Sequence, residues 1–462
     1  MKRISFDKYI ICLLLSSLLG LCACSKFLDA KLASNLAVPN SIADYQSLLD
    51  ASININYGTF PALLEMGSDD YYISTVAYNG MTEFDRDNYI WAPEPFYLLV
   101  NSNLNWKNSF MPILYANLVL ERLDKADGDE AKKAELKGWA QFVRGFSFYH
   151  LAQVYCEPYR FGTANIGLGL PLRNTADYNV PSLRSSLQET YEFVIGDLKA
   201  AAALLPQKSE YKTRPNKQAA YAALARCYLT MQDYENAYLY ADSALSLDAT
   251  LIDYNQINAA ATLPFSRFNA ETIYFSYSNG SALFNPSRAR ISKDLVELYS
   301  EKDIRRKAFF NVLATGEYSF KGAYHGSAAN TFFMGLTTAE LYLIKAESAV
   351  RIGREGESLA LINALLKNRI DKVSFVALES QDRDVLLNLI LKERRKELLF
   401  RGIRWTDLRR LNLDTRYSKT LKRTWDNPEG MPIAELPPND PRYTYLIPQE
   451  VIQITGMQQN RR

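Results

Sequence analysis

Histidine is nearly absent from this 462-residue chain, which has two, and cysteine is sparse at five. A zinc cluster or a His-centred catalytic triad needs more imidazoles or thiolates than these, so both are disfavoured while carboxylate chemistry stays open. An excess of charge is also missing, with 53 Lys and Arg against 51 Asp and Glu. Nucleic-acid binding requires a basic surplus on one face, and no nucleic-acid partner is expected. The apolar stretch from Tyr9 to Ala23 is shorter than the roughly 20 residues that span a bilayer. What the chain does have is apolar and aromatic bulk: 48% hydrophobic residues, 30 Tyr and 22 Phe. That suffices for an ordinary core and excludes disorder and fibre, and the length suits one large unit or two or three sub-domains.

The N-terminus opens Met1-Lys2-Arg3, runs apolar, and reaches Leu21-Cys22-Ala23-Cys24. A charged start, a short apolar stretch and small residues at the cut predict a secretory signal peptide over residues 1–23. The four residues ending at Cys24 resemble the lipobox of bacterial lipoproteins, which implies acylation of Cys24, with chains such as palmitate, and a lipid anchor. Removal of residues 1–23 takes three basic residues and one acid, so the formal charge falls from +2 to zero. Residues 24–45 are predicted to be the lipidated start and a tether.

Apolar residues at three- and four-residue steps predict helices from Trp106 to Leu120 and from Ala131 to Tyr155, and, after a Pro- and Gly-rich break, over 185–204 and 216–247. Ala225, Tyr228, Ala237, Ala241 and Ala244 occupy the small and aromatic positions of a tetratricopeptide hairpin, and a similar register returns at Ala346, Ala349, Ser358, Ile362 and Leu365. The expected fold is mainly α: a tetratricopeptide-like helical hairpin scaffold with irregular, partly β insertions forming a ligand-binding lobe. Residues 248–335 supply one insertion, β-rich by composition at Glu271 to Tyr277; residues 55–105 have a similar irregular character. The acid–base run Lys392 to Glu397 reads as a solvated, salt-bridged helix face. Cys156 and Cys227 read as buried thiols, a disulfide between them being the alternative. His150 reads as a core or boundary histidine.

Several motifs resemble the SusD/RagB family of outer-membrane nutrient-binding lipoproteins. They are Cys24-Ser-Lys-Phe-Leu-Asp29, the Trp106/Phe110/Ile113/Asn117 helix, Arg144 to Tyr149 with Tyr155, Glu340 to Glu347 with Gly353-Arg354, and Glu397-Leu-Leu-Phe-Arg-Gly402 followed by Arg404-Trp405-Thr-Asp407. Departures are Cys156 where relatives carry Gly, and a Gln459-Asn460 end that continues as Arg461-Arg462. The resemblance divides the chain into a SusD-like helical region over 46–247, the insertion over 248–335 and a C-terminal helical region over 336–462. It implies a cell-surface, outer-membrane lipoprotein that binds an oligosaccharide and delivers it to a SusC-like TonB-dependent transporter. No catalysis and no cofactor are expected. The alternatives are a peptide ligand or a secreted all-helical glycoside hydrolase, which would need two carboxylates about 5 to 9.5 Å apart.

A glycan offers C–H faces to rings and hydroxyls to Asp and Arg. On that chemistry Trp91 and Tyr89, beside Arg86, Asp69 and Asp70, are the candidate ligand contacts, with Tyr277 a further one. The Arg401 to Arg410 cluster reads as scaffold, with Gly402 at a helix junction, Trp405 in the core, and Asp407 paired to Arg404 or Arg409.

Overall fold

The computed structural model describes residues 39–93, 104–327, 330–424 and 433–462. Helix α1 (Ile42–Asp50) begins inside the stretch expected to be tether, because Ser41 and Asp44 form a capping box that satisfies the first free N–H groups. Strands β1 (Tyr57–Phe60) and β2 (Tyr71–Tyr72) follow. The scaffold is then α2 (Leu104–Arg122), α3 (Glu130–Tyr155), α4 (Leu187–Leu204), α5 (Lys217–Met231) and α6 (Tyr234–Leu247). Side chains at their starts cap four of them: Asp129, Ser186, Asn216 and Asp233 each accept from a first-turn N–H.

Each of these helices packs on the next. On α5, Ala219, Ala220, Ala222, Ala223 and Ala225 are buried, and on α6 so are Ala237, Ala241 and Ala244. Small side chains let the backbones approach, as the hairpin register requires. Arg144 on α3 ties the layers together, donating at 2.8 Å to both oxygens of Asp197 on α4 and at 2.8 Å to Asn117 on α2.

The insertion carries β3 (Thr272–Tyr274), β4 (Tyr277–Ser278) and β5 (Arg290–Ile291). Strand β6 (Leu336–Thr337) then leads into α7 (Thr338–Arg351), α8 (Glu355–Lys367), α9 (Arg383–Glu397) and α10 (Arg404–Leu411). Helix α7 packs directly on α6, so the hairpin stack continues across the insertion. The lobe is stitched to distant chain by short ladders: β1 with β4 in parallel, β2 with β5 and β3 with β6 antiparallel. Residues 41–462 accordingly form one compact unit rather than separate bodies.

Two expectations need correcting. The Lys392 to Glu397 run is not a solvated face: Glu393, Arg394, Lys396 and Glu397 are buried. Arg305 reaches Asp303 at 2.8 Å, Glu393 at 2.6 Å and Glu397 at 3.0 Å, while Arg369 reaches Glu271 at 2.6 Å and Glu397 at 2.9 Å. Charges at helical spacing serve equally a wet surface or a paired interior, and tertiary packing decided for the interior. Asp407 pairs with Arg394 at 2.9 Å and Arg410 at 2.8 Å rather than with Arg404 or Arg409. The scaffold role of that cluster stands, since Trp405 is fully buried. Gly402 has φ +67, and a Cβ there would meet Met334 at 2.3 Å.

Cys156 and Cys227 are free buried thiols, as expected. Burial raises both, Cys156 to about 11. His150 is buried, its Nδ1 2.8 Å from the Phe146 carbonyl. Among the described residues no helix is long and apolar enough to cross a membrane.

Candidate functional site

The structure separates the predicted contact residues. Trp91 is 3% exposed and Tyr89 fully buried. The Trp91 indole N–H donates to the Gly67 carbonyl at 3.1 Å, and the Tyr89 hydroxyl accepts from the Ile73 N–H at 3.2 Å. Arg423 lies over both rings, 4.2 Å from Tyr89 and 4.6 Å from Trp91, and donates to three main-chain carbonyls. These rings offer no face to a ligand here; the expectation that they do is corrected by their burial.

Asp69 and Asp70 are likewise held by the protein. Asp69 accepts from Arg404 at 2.7 and 3.0 Å and pairs with Lys419, and Asp70 accepts from Arg395 at 2.7 Å. Burial pushes the Asp69 carboxyl up, but Arg404, Arg395 and Lys419 together hold it well below the usual carboxylate range. Asp70 moves the other way, raised by burial that Arg395 and Arg404 only partly offset. The pair fastens α9 and α10 to the residue 69–72 segment rather than facing solvent.

Tyr277 and Arg86 remain accessible. Arg86, on the short helix Glu83–Tyr89, is half-buried and makes no side-chain hydrogen bond among the described residues. Tyr277, on β4, is half-buried and stacks on Tyr57 of β1, with ring centroids 4.9 Å apart and planes 11° apart. The parallel β1–β4 ladder brings these two tyrosines opposite each other. Arg267, exposed, centres its guanidinium 4.8 Å from the Tyr57 ring, 4.9 Å from Phe268 and 4.8 Å from Phe275.

The Arg267 guanidinium forms no ion pair or hydrogen bond among the described residues. Its backbone is pressed by the turn at Gly326, whose φ of +70 and 2.9 Å approach of a notional Cβ to the Arg267 Cβ exclude a larger residue. His325 flanks the patch, its ring 6.0 Å from Tyr277, and burial followed by the Arg267 charge lowers its imidazole to about 4, so it is neutral at pH 7. The Thr331 hydroxyl lies 3.0 Å from its Nε2.

Together these groups give a surface of rings, phenol hydroxyls and one open five-donor guanidinium. Such a surface can stack on apolar faces and donate to oxygen acceptors. Sequence reading missed Tyr57, Arg267, Phe268 and His325. The signal that could have found them is a strand pairing between residues far apart in the chain, which no local pattern reveals. Among the described residues no group of three His, Cys, Asp or Glu is placed to hold a metal ion. Phe96 and Tyr97, crowded with the other aromatics of the 55–105 segment, lie outside the described residues.

Fold and surface define a helical-hairpin scaffold with an irregular lobe carrying an aromatic, arginine-bearing patch. Comparison with known proteins specifies the class. A family model described as "Starch-binding associating with outer membrane" matches residues 26–229, and one described as "SusD family" matches residues 325–457. The chain belongs to the SusD/RagB family. A SusD-like protein P2 from Formosa agariphila is 24% identical over 373 residues, covering 67% of this chain and 71% of that protein. The crystal structure of a SusD superfamily protein from Bacteroides thetaiotaomicron has a TM-score of 0.74 at 20% identity, covering 91% of this chain and 100% of the other. A SusD-like carbohydrate binding protein from Bacteroides vulgatus gives 0.70 at 18% identity, over 90% and 97%. At these identities the solved structures bear on the fold.

Proposed function

We propose that the protein is a cell-surface lipoprotein that binds oligosaccharides non-covalently and hands them to a SusC-like TonB-dependent outer-membrane transporter. Family membership supports the general role, and the observation that carries the ligand class is the Tyr57–Tyr277–Arg267 patch. Sugar C–H groups pack on tyrosine rings, and sugar hydroxyls accept from a guanidinium that has no hydrogen-bond or ion-pair partner among the described residues. Arg86 is a second contact in this reading. A binder of this kind releases its cargo unaltered, which suits an upstream carrier. The hydrolase alternative gains nothing from Asp69 and Asp70, whose carboxylates face arginines.

Isothermal titration of the purified protein against a panel of neutral oligosaccharides tests the proposal. At least one should bind, and Tyr277→Ala or Arg267→Ala should weaken it about tenfold, about 1.4 kcal/mol, with an unchanged melting temperature. Binding that neither substitution alters would remove the patch from the reading. Release of new reducing ends from the same oligosaccharides would replace the binder by a hydrolase.

A further inference from the structure

A second opening lies beyond the C-terminal end of α3. It is a cavity of about 540 Å³, walled by Glu157, Arg160, Arg409, Asn412, Asp440 and Arg461 among others. That size is within the roughly 300–1,000 Å³ of small-molecule sites, and its wall shares no residue with the Tyr57–Tyr277 patch.

Charge in this wall does not balance. Of the two carboxylates, Asp440 is taken up by Arg442, which donates to it at 2.8 Å from both Nε and Nη2. Against the remaining acid, Glu157, stand Arg160, Arg409 and Arg461, none of which makes an ion pair among the described residues. Arg409 is 3% exposed; its two terminal nitrogens donate to the Gln153 and Cys156 carbonyls, and its Nε–H has no acceptor among the described residues.

Of the other buried arginines, Arg226, Arg305, Arg369, Arg394 and Arg410 each meet a carboxylate, whereas Arg423, like Arg409, meets main-chain carbonyls. The carbonyls at the end of α3 offset part of the Arg409 charge, as a helix C-terminus does for a cation, but burial still lowers its affinity for its proton. The Asn412 side chain is held at both ends, its oxygen accepting from the Lys419 N–H at 3.3 Å and its amide set against the Tyr443 hydroxyl. Positive charge therefore exceeds what the described residues supply to meet it.

We infer that this cavity binds a small carboxylate-bearing solute, whose negative charge balances Arg160, Arg409 and Arg461. An acidic monosaccharide has the size and the oxygen acceptors for it. The site stands apart from the aromatic patch and does not depend on what that patch binds.

Isothermal titration of the purified protein with D-glucuronate, and with D-glucose as the uncharged control, tests the inference. Glucuronate should bind at least tenfold more tightly than glucose. Arg160→Glu and Arg461→Glu, both at exposed positions, should each weaken glucuronate at least tenfold with the melting temperature unmoved, while Tyr277→Ala should leave it unaltered. Absence of glucuronate binding, equal affinity for glucose, full affinity in both charge-reversed proteins, or loss on Tyr277→Ala would each overturn it. Should a charge reversal abolish the melting transition, Arg160→Gln takes its place, and an unaltered affinity there is equally fatal.

Discussion

Trp405 sits with its ring 4.9 Å from Tyr443 and 5.5 Å from Tyr445, so close to Gly67 that a Cβ on that glycine would lie 2.5 Å from it. A ring so enclosed leaves a cavity when truncated. Trp405→Ala should lower the unfolding free energy by about 3–5 kcal/mol in urea titrations. Trp91 belongs in the same class: it is sealed between Gly67 and Arg423, and Trp91→Ala should destabilise by a similar about 3–5 kcal/mol. A Trp91→Ala protein with unaltered stability would show that the ring faces solvent after all. Tyr277 is the contrast, because its half-exposed ring loses less contact on truncation. Residue type and neighbourhood in sequence placed Trp91 among ligand contacts, since an aromatic beside acids and an arginine suits a glycan. What they could not show is the fold of Arg423, from the far end of the chain, back over the ring.

At the scale of elements, α3 shows most clearly what was legible. Its apolar stripe and its His150 are readable from local spacing, and the structure places them as that spacing implies. The same helix carries a consequence for stability. Burial, then Arg226, lowers the His150 imidazole from 6.5 to about 3, so the folded protein keeps it neutral where the unfolded chain is protonated. Below pH 6.5 the unfolded state binds the extra proton, and stability falls as pH drops towards the folded value. At one proton the slope is about 1.4 kcal/mol per pH unit, giving about 2 kcal/mol between pH 6.5 and 5.

Other groups titrate in that region with the opposite sign. Burial, then Asp70, raises Glu65 well above 4.5, so its contribution declines as pH rises. The difference between wild type and His150→Gln removes such common terms. Denaturation of both proteins from pH 7.5 to 5 should give a stability gap that narrows towards acid by about 2 kcal/mol; parallel curves would mean that His150 is solvated. Glu347 and Glu397 come later: burial raises each, but facing arginines, Arg410 first for Glu347 and Arg369 first for Glu397, hold both at about 2. Their stabilisation is present above 4.5 and is lost as pH falls towards about 2. The acid–base run on α9 was legible as helix but not as interior, because the partners Arg305 and Arg369 are supplied by other segments.

For the whole molecule, the repeat register at two distant places was enough to reveal one scaffold, and α6 packing on α7 shows why the offset is kept across the insertion. The lobe was legible as an irregular segment with β content, not as a surface, since its geometry depends on ladders joining residues 57–72 to 277–291. Attachment to a membrane is a property of the entire chain and can be argued from what the described residues offer. Without the predicted signal segment the formal charge is zero, so attraction to anionic lipid is weak. No described helix is long and apolar enough to cross a bilayer. In the proposed reading, attachment comes from acyl chains at Cys24, each buried methylene contributing about 0.8 kcal/mol. Cys24 lies outside the described residues, so the test is cellular: Cys24→Ala should move the protein from the membrane pellet to the soluble fraction and abolish incorporation of radiolabelled palmitate. Recovery of the variant in the pellet, still carrying label, would place the lipid on another residue and dissociate the anchor from the Leu21-Cys22-Ala23-Cys24 motif.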